Sequence, residues 1–293
     1  MKSVGFIGVG VMGRSMVRNL MKAGFSVYIY TRTKSRAQDV IDDGAVWCDD
    51  VASCASGRDA VITIVGYPKD VEEVYFGDGG IIESAMQGAY LIDMTTSDPD
   101  ISKRIHTAAK ERGVFSLDAP VSGGDVGAKN GTLAIMVGGD RPAFDACLPL
   151  FEAMGKTIVY EGAAGAGQHT KMANQIALGG AISGVCEAIA YANAVGLDAE
   201  TMLGTISQGA AGSWQMSNVA PRILSGNFDP GFFIKHFVKD MKLAEDEAED
   251  SGLHLEILHQ ALSSYQALEA AGYGNLGTQA LIKHYKQKNS RDV

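Results

Sequence analysis

One run near the start of the chain, Gly8-Val9-Gly10-Val11-Met12-Gly13, restricts the fold more than any other feature. It follows an apolar segment with strand character, Ser3–Ile7, and opens a helical pattern, Met12–Lys22, that ends near Gly24. A second strand candidate, Ser26–Tyr30, completes a βαβ unit. Gly8 permits a tight turn, Gly10 lets a pyrophosphate approach the backbone, and Gly13 lets helix and strand pack closely. The first-turn amides, around Val11 and Met12, then face an anion. With 36 glycines in the chain a G-x-G-x-x-G match alone is weak. Its flanking strand and helix make it read as a dinucleotide-binding turn.

The end of the second strand should choose the dinucleotide. An NAD site places Asp or Glu there to bond the ribose hydroxyls. This chain has Thr31-Arg32-Thr33-Lys34-Ser35-Arg36, with no carboxylate before Asp39. Arg32 can stack on adenine and pair with a 2′-phosphate, and Thr31, Thr33 and Arg36 can add bonds. NADP(H) is favoured, with NAD(H) as the alternative; a solvated basic turn is the bland reading.

Short apolar runs at Ala60–Val65, Tyr90–Met94, Val114–Asp118, Leu133–Val137 and Thr157–Tyr160 alternate with helical patterns such as Pro99–Arg112 and Arg141–Met154. Such alternation predicts an α/β fold, a Rossmann-type doubly wound, mainly parallel sheet. After Glu161 the strand signal stops, and the small, flexible Gly162–Gly167 stretch marks a boundary. Helical patterns follow at Gln168–Val195, Asp198–Ser207, Asn218–Leu224, Ile234–Ser251, Leu255–Ala271 and Gln279–Tyr285, with Asp198 and Thr278 as N-caps. The expected domains are 1–162, binding the dinucleotide, and 163–293, all-α and joined through a long interdomain helix. Ile176–Gly196 is nearly free of charge, but Ala, Gly and Glu187 make a membrane span a weak reading. Gly180, Gly184 and Ala188 would let another helix approach closely.

A net charge of −9 argues against nucleic acid, whose backbone demands a basic surface. Four scattered cysteines without CxxC spacing, and no signal-peptide pattern, predict a reduced, cytoplasmic chain. No His/Asp/Glu/Cys cluster has ligand spacing, so no metal is implied.

Four blocks together resemble the β-hydroxyacid dehydrogenases over nearly the whole length. They are Gly5–Gly13, then Asp118-Ala119-Pro120-Val121-Ser122-Gly123-Gly124, then Gly165–Asn174, and finally Lys239-Asp240-Met241-Lys242-Leu243-Ala244. The Thr31-Arg32-Thr33 turn resembles that of the NADP-using reductases in this family. The resemblance implies hydride transfer between a nicotinamide and a small β-hydroxyacid or its semialdehyde, in a homodimer or homotetramer.

Read as chemistry, Ser122-Gly123-Gly124 follows a strand candidate, where open α/β sheets bind ligands, and a hydroxyl beside two Cβ-free amides suits a carboxylate. A plain turn is the competing reading. In the family this segment grips the substrate carboxylate. Lys171 and Asn174 leave one helix face. Lys171 resembles the family's catalytic lysine, and burial beside a nicotinamide would disfavour its charged form and let it exchange a proton. A snorkelling surface lysine is the alternative. Asn174 would orient the same oxygen, while His169 reads as structural.

The resemblance also implies that Lys239 reaches the nicotinamide end of the cofactor, although a surface salt bridge with Asp240 is an ordinary alternative. It places Thr96 beside the nicotinamide ribose and makes Val65 and Gly66 part of the cofactor shelf. Trp214 is either a substrate-pocket wall or a core residue. Two departures stand out: Gln175 where the family often has a second asparagine, and Val65-Gly66-Tyr67-Pro68 in place of a Leu-Pro form. A methyltransferase would want a carboxylate ending the second strand, and a catalytically weak cofactor sensor would have no need of Ser122, Lys171, Asn174 and Lys239 together. A relative acting on imines would usually lack the lysine.

Overall fold

The computed structural model describes residues 1–289, which divide into two compact units, Met1–Lys171 and the chain from Met172 on. In the first unit, β1 (Ser3–Ile7), β2 (Ser26–Tyr30), β3 (Val46–Trp47), β4 (Ala60–Thr63), β5 (Tyr90–Asp93) and β6 (Phe115–Asp118) run parallel in the order β3-β2-β1-β4-β5-β6. This is the doubly wound order, in which direction of travel reverses between β1 and β4. The sheet continues through β7 (Val121–Ser122) and β8 (Leu133–Gly139), where β8 runs antiparallel to both β6 and β7. The last strand, β9 (Gly155–Gly162), pairs parallel with β8.

Two-residue periodicity explains how the sheet is covered. Val4 and Phe6 of β1, Ile62 of β4 and Ile92 of β5 pack with Met16, Val17 and Leu20 of the Val11–Lys22 helix. The alternate positions Ile7, Val61 and Leu91 pack with Val71 and Tyr75 of the Pro68–Phe76 helix and Ile101 and Ile105 of the Pro99–Glu111 helix. Central strands buried on both faces need apolar residues at every position, which is why they read as continuous apolar runs.

The 29-residue helix Ala166–Ala194 leads into the second unit. It is long and apolar enough to cross a membrane by length and composition. Its residues Ile182, Val185, Cys186 and Ile189 instead belong to the second unit's core, with Phe237 and Met241 of the Ile234–Asp250 helix and Leu262 and Tyr265 of the Glu256–Leu268 helix. Close packing onto this helix falls on Gly179, where a Cβ would sit 3.4 Å from the Met241 sulfur, and on Gly180 against Ile257. Gly184, expected on the same close-packed face, has no neighbour within 4 Å.

Asp198 caps its helix through the Thr201 amide at 2.7 Å. Thr278 does not act as a cap: Gly277 stands at that position, and Thr278 is the first residue of the turn itself. Asn218–Leu224 is also not one uniform helix. A wide π-type turn, Gln215–Val219, precedes Ala220–Leu224, because Pro221 has no amide to continue an upstream ladder. The Leu255–Ala271 pattern ends as regular helix at Leu268, four residues before Gly272, which takes φ +86°.

Candidate active site

In the first unit the glycine turn occupies the switch point. Gly8 has φ +107°, and a Cβ there would lie 2.1 Å from the Ile64 carbonyl oxygen at the end of β4. Gly13 meets the opposite side of the turn, where a Cβ would lie 2.1 Å from the Gly8 carbonyl oxygen. Gly10 differs: nothing comes within 4 Å of its Cβ direction. It is the N-cap of the Val11–Lys22 helix and offers no side chain to the first-turn amides, and no acid lies in that turn. The helix therefore presents its partial positive end to open space, with exposed Val11 and half-buried Met12 leading the turn. These features fit a pyrophosphate.

Thr31, Arg32 and Thr33 leave β2 toward solvent, followed by exposed Arg36. Arg32 donates to Asp70 at 3.3 Å, and the Asp70 side chain is 8% exposed against 75% for Arg32. Asp70 also accepts the Tyr67 amide at 3.0 Å, closing the first turn of the Pro68–Phe76 helix. Asp70 is not among the site residues expected from the sequence, and it stands 38 positions from Arg32. The Tyr67-Pro68-Lys69-Asp70 helix start is a signal for its capping role, but not for its pairing with Arg32.

Val65 and Gly66 follow β4, and the Val65 amide donates to the Thr95 hydroxyl at 3.0 Å. Half-buried Thr96 comes next, so the ends of β4 and β5 are tied into one shelf. Beneath it, the Asp93 carboxylate accepts the Thr63 hydroxyl at 2.8 Å and the Thr95 amide at 3.1 Å. Complete burial nevertheless pushes the Asp93 carboxyl up to about 6.

The Ser122-Gly123-Gly124 segment follows β6 through β7. Gly123 and Gly124 have φ +123° and +63°, which a side chain would strain, and Gly123 starts the Gly124–Asn130 helix. At the end of β6, buried Asp118 accepts the Gly165 amide at 2.8 Å and the Gln168 amide at 3.0 Å. Desolvation raises its carboxyl above the usual range, against those bonds. Gln168 accepts the Ser97 amide at 2.9 Å and donates to the Thr95 carbonyl at 2.8 Å. The start of the long helix is thereby fastened to the carboxyl ends of β5 and β6. Lys171, one turn further on, is 6% exposed, whereas His169 is exposed.

In the second unit, the Asn174 amide nitrogen donates to Gln175 Oε1 at 2.7 Å, and Gln175 Nε2 donates to Asp240 Oδ2 at 2.6 Å. Lys239 Nζ lies 2.8 Å from Asp240 Oδ1. Gln175, noted in the sequence only as a departure, is thus the 1% exposed centre of a chain joining Asn174 to the Lys239–Asp240 pair. Trp214 is 64% exposed, so it is not a core residue. Among the described residues no group of three or more His, Cys, Asp or Glu could hold a metal ion.

A family model described as the NAD-binding domain of 6-phosphogluconate dehydrogenase matches residues 3–162. A second, described as NAD-binding of NADP-dependent 3-hydroxyisobutyrate dehydrogenase, matches residues 165–285. The chain is 56% identical to an uncharacterized oxidoreductase, YkwC, of Bacillus subtilis, covering 96% of this chain and 98% of the relative. It is 46% identical to a probable mitochondrial 3-hydroxyisobutyrate dehydrogenase-like 1 of Arabidopsis thaliana, covering 99% and 87%. The crystal structure of 3-hydroxyisobutyrate dehydrogenase from Salmonella typhimurium superposes with a TM-score of 0.88 at 27% identity, covering 97% and 99%.

Fold, glycine turn and relatives together define an NAD(P)-dependent oxidoreductase. The chain belongs to the β-hydroxyacid dehydrogenase family.

Proposed function

We propose that this chain is an NADP(H)-preferring dehydrogenase that interconverts a small β-hydroxyacid and its semialdehyde, with Lys171 as proton donor and acceptor. The observation that carries the reading is the placement of Lys171. It is a buried lysine on a helix whose first turn Asp118 and Gln168 anchor to the strand ends of a dinucleotide-binding sheet. Its flexible stem and three donors suit proton delivery to a carbonyl oxygen.

When bound, the nicotinamide supplies the hydride to the carbonyl carbon. Lys171 hydrogen-bonds the reacting oxygen and gives it a proton, then takes one back in the oxidative direction. Asn174 orients that oxygen, and Gln175 fixes the Asn174 amide. Ser122 and the amides of Gly123 and Gly124 hold the substrate carboxylate, and Trp214 walls the pocket. Gly8, Gly10, Val11, Met12 and Gly13 take the pyrophosphate. Thr31, Arg32, Thr33 and Arg36 take the 2′-phosphate, and Val65, Gly66, Thr96 and Lys239 line the nicotinamide side. The second family model's description, which names an NADP-dependent enzyme, supports the cofactor choice. NAD(H) is the second reading, favoured by the Arg32–Asp70 pair, because Asp70 competes with a phosphate for the guanidinium.

We further propose a cytoplasmic homodimer or homotetramer, in which exposed Ala173, Ala177 and Gly184 of the long helix meet another copy. Light scattering of the purified protein tests this; a monomer overturns it.

The test of activity is oxidation of NADPH against glyoxylate, succinic semialdehyde, tartronate semialdehyde and methylmalonate semialdehyde, with NADH in parallel. At least one should turn over, faster with NADPH. Lys171→Ala should abolish turnover while NADPH binding persists; near-normal turnover in that variant overturns the mechanism.

A further inference from the structure

Of the three cations in the turn after β2, Arg32 alone among the described residues pairs with an acid. Lys34 stands over the Trp47 ring, its ammonium 5.2 Å from the centroid, and Arg36 is held through its carbonyl, which accepts from Arg14 at 3.1 Å. The acid that Arg32 meets, Asp70, comes from the helix that follows β4, and its two oxygens have separate tasks. Oδ2 accepts the Tyr67 amide at 3.0 Å, a bond made at the helix N-terminus. Oδ1 faces Arg32 Nη1 at 3.3 Å. Gly66 leaves room for this arrangement: a Cβ there would lie 3.1 Å from Asp70 Oδ2. Gly66 has no left-handed φ that would call for glycine, so space is what its hydrogen supplies. The Val65-Gly66-Tyr67-Pro68 departure thus accommodates a carboxylate beside the basic turn.

Resting on the assignment of this turn to the 2′-phosphate, we infer that Asp70 is a specificity-determining residue. Its negative charge, fixed beside Arg32, limits how far a 2′-phosphate is preferred over a 2′-hydroxyl. Arg32 attracts the phosphate, Asp70 opposes it, and the site is built for a moderate preference between the two dinucleotides.

Magnitudes favour this role over a merely structural ion pair. The Arg32 guanidinium is largely exposed and meets Asp70 through one contact, an arrangement that adds little to fold stability. The Asp70 carboxylate is nearly buried, so salt and water screen its charge poorly. A phosphate monoester carries about −1.5 to −2 charges at neutral pH, whereas the ribose hydroxyl of NADH carries none. The carboxylate therefore repels only the phosphate-bearing ligand. It also draws on the guanidinium that would otherwise turn wholly to the phosphate. Both effects have the same sign and fall on NADPH alone.

Full-length protein is titrated calorimetrically with adenosine 2′,5′-bisphosphate and with 5′-AMP, which differ only in the 2′-phosphate and carry no nicotinamide. In Asp70→Asn the bisphosphate should bind about three- to tenfold tighter, with 5′-AMP within about twofold of wild type. The new amide oxygen can still accept the Tyr67 amide, so the helix start is kept. Asp70→Glu, which retains the charge, should stay near the wild-type ratio. Asp70→Ser, uncharged and still an acceptor, repeats the test if the first variant does not fold. Bisphosphate affinity that is unchanged or weaker in Asp70→Asn, or a gain shared by both ligands, overturns the role of Asp70. If Arg32→Ala still weakens the bisphosphate in that case, the 2′-phosphate assignment stands without it; if Arg32→Ala changes nothing either, both fall. A wild type that binds the two ligands equally, but gains on the bisphosphate in Asp70→Asn, refutes the NADP(H) preference and supports the role of Asp70.

Discussion

Gly13 and Arg32 stand in the turns that follow β1 and β2, and they make different demands. A methyl group at Gly13 points into the backbone oxygen of Gly8 at 2.1 Å, which no side-chain motion relieves. Gly13→Ala should therefore destabilise the first unit by about 2–4 kcal/mol, read as a lower thermal midpoint together with weaker dinucleotide binding. On the proposed 2′-phosphate assignment, Arg32→Ala should weaken NADPH about 10–100-fold by fluorescence titration and leave NADH within about twofold, the loss of one charge-assisted pair. Equal losses for both would sink the 2′-phosphate assignment.

Asp93 makes a prediction in pH. Its carboxyl sits at about 6 in the fold against an unfolded value of about 3.9, so the fold binds the proton more tightly than the unfolded chain. Below the unfolded value both states are protonated and no penalty exists. As pH rises from about 4 to about 6 the penalty grows, and above that it is constant. Asp93→Asn has no such titration. Wild type should therefore lose stability relative to the variant across that window, as urea midpoints at several pH values would reveal. A pH-independent difference would contradict it.

At the scale of elements, two side chains hold the ends of the long helix's functional stretch. Asp118 supplies the acceptors for Gly165 and Gln168, so Asp118→Ala leaves buried amides unpaired and should cost about 2–4 kcal/mol. Because these bonds fasten the helix that carries Lys171, kcat should fall while the KM for the dinucleotide changes little. Gln175→Asn shortens the link between Asn174 and Asp240 by one methylene. It should lower kcat about tenfold while NADPH affinity stays near wild type, the pattern of a lost positioning contact.

Local chemistry explains what could be read in advance. β1, β2 and the Arg141–Met154 helix announce themselves through periodicity and flanking glycines or Pro142. Strand alternation places the glycine turn, Val65 and Thr96 at the carboxyl ends of neighbouring strands. The pairings Arg32–Asp70, Asp118–Gln168 and Gln175–Asp240 span 38, 50 and 65 residues. No spacing rule connects residues so far apart; only the closed sheet and packed helices do. The antiparallel β7–β8 pairing was hidden for a related reason, since a two-residue strand has no period to detect.

At the scale of the whole molecule, a protein with net charge −9 binds an anionic dinucleotide. On the proposed assignment the local cluster Arg32, Lys34 and Arg36 would offset that charge, because charges beyond about 8 Å are screened at physiological salt and nearby cations dominate. NADPH affinity should weaken several-fold as ionic strength rises from low to physiological. NADH, lacking the third phosphate, should respond less; isothermal titration in a salt series measures both. A rise in NADPH affinity with salt would mean that the net charge prevails.

The boundary between the two units falls inside one continuous helix, between Lys171 and Met172. Any hybrid of two relatives joined at this point must be spliced in phase. One residue inserted between Lys171 and Asn174 rotates everything downstream by about 100° and advances it by about 1.5 Å. The two side chains would then no longer share a helix face. Halves exchanged residue for residue keep that phase, so the count of residues across the junction is a condition that any such exchange must meet.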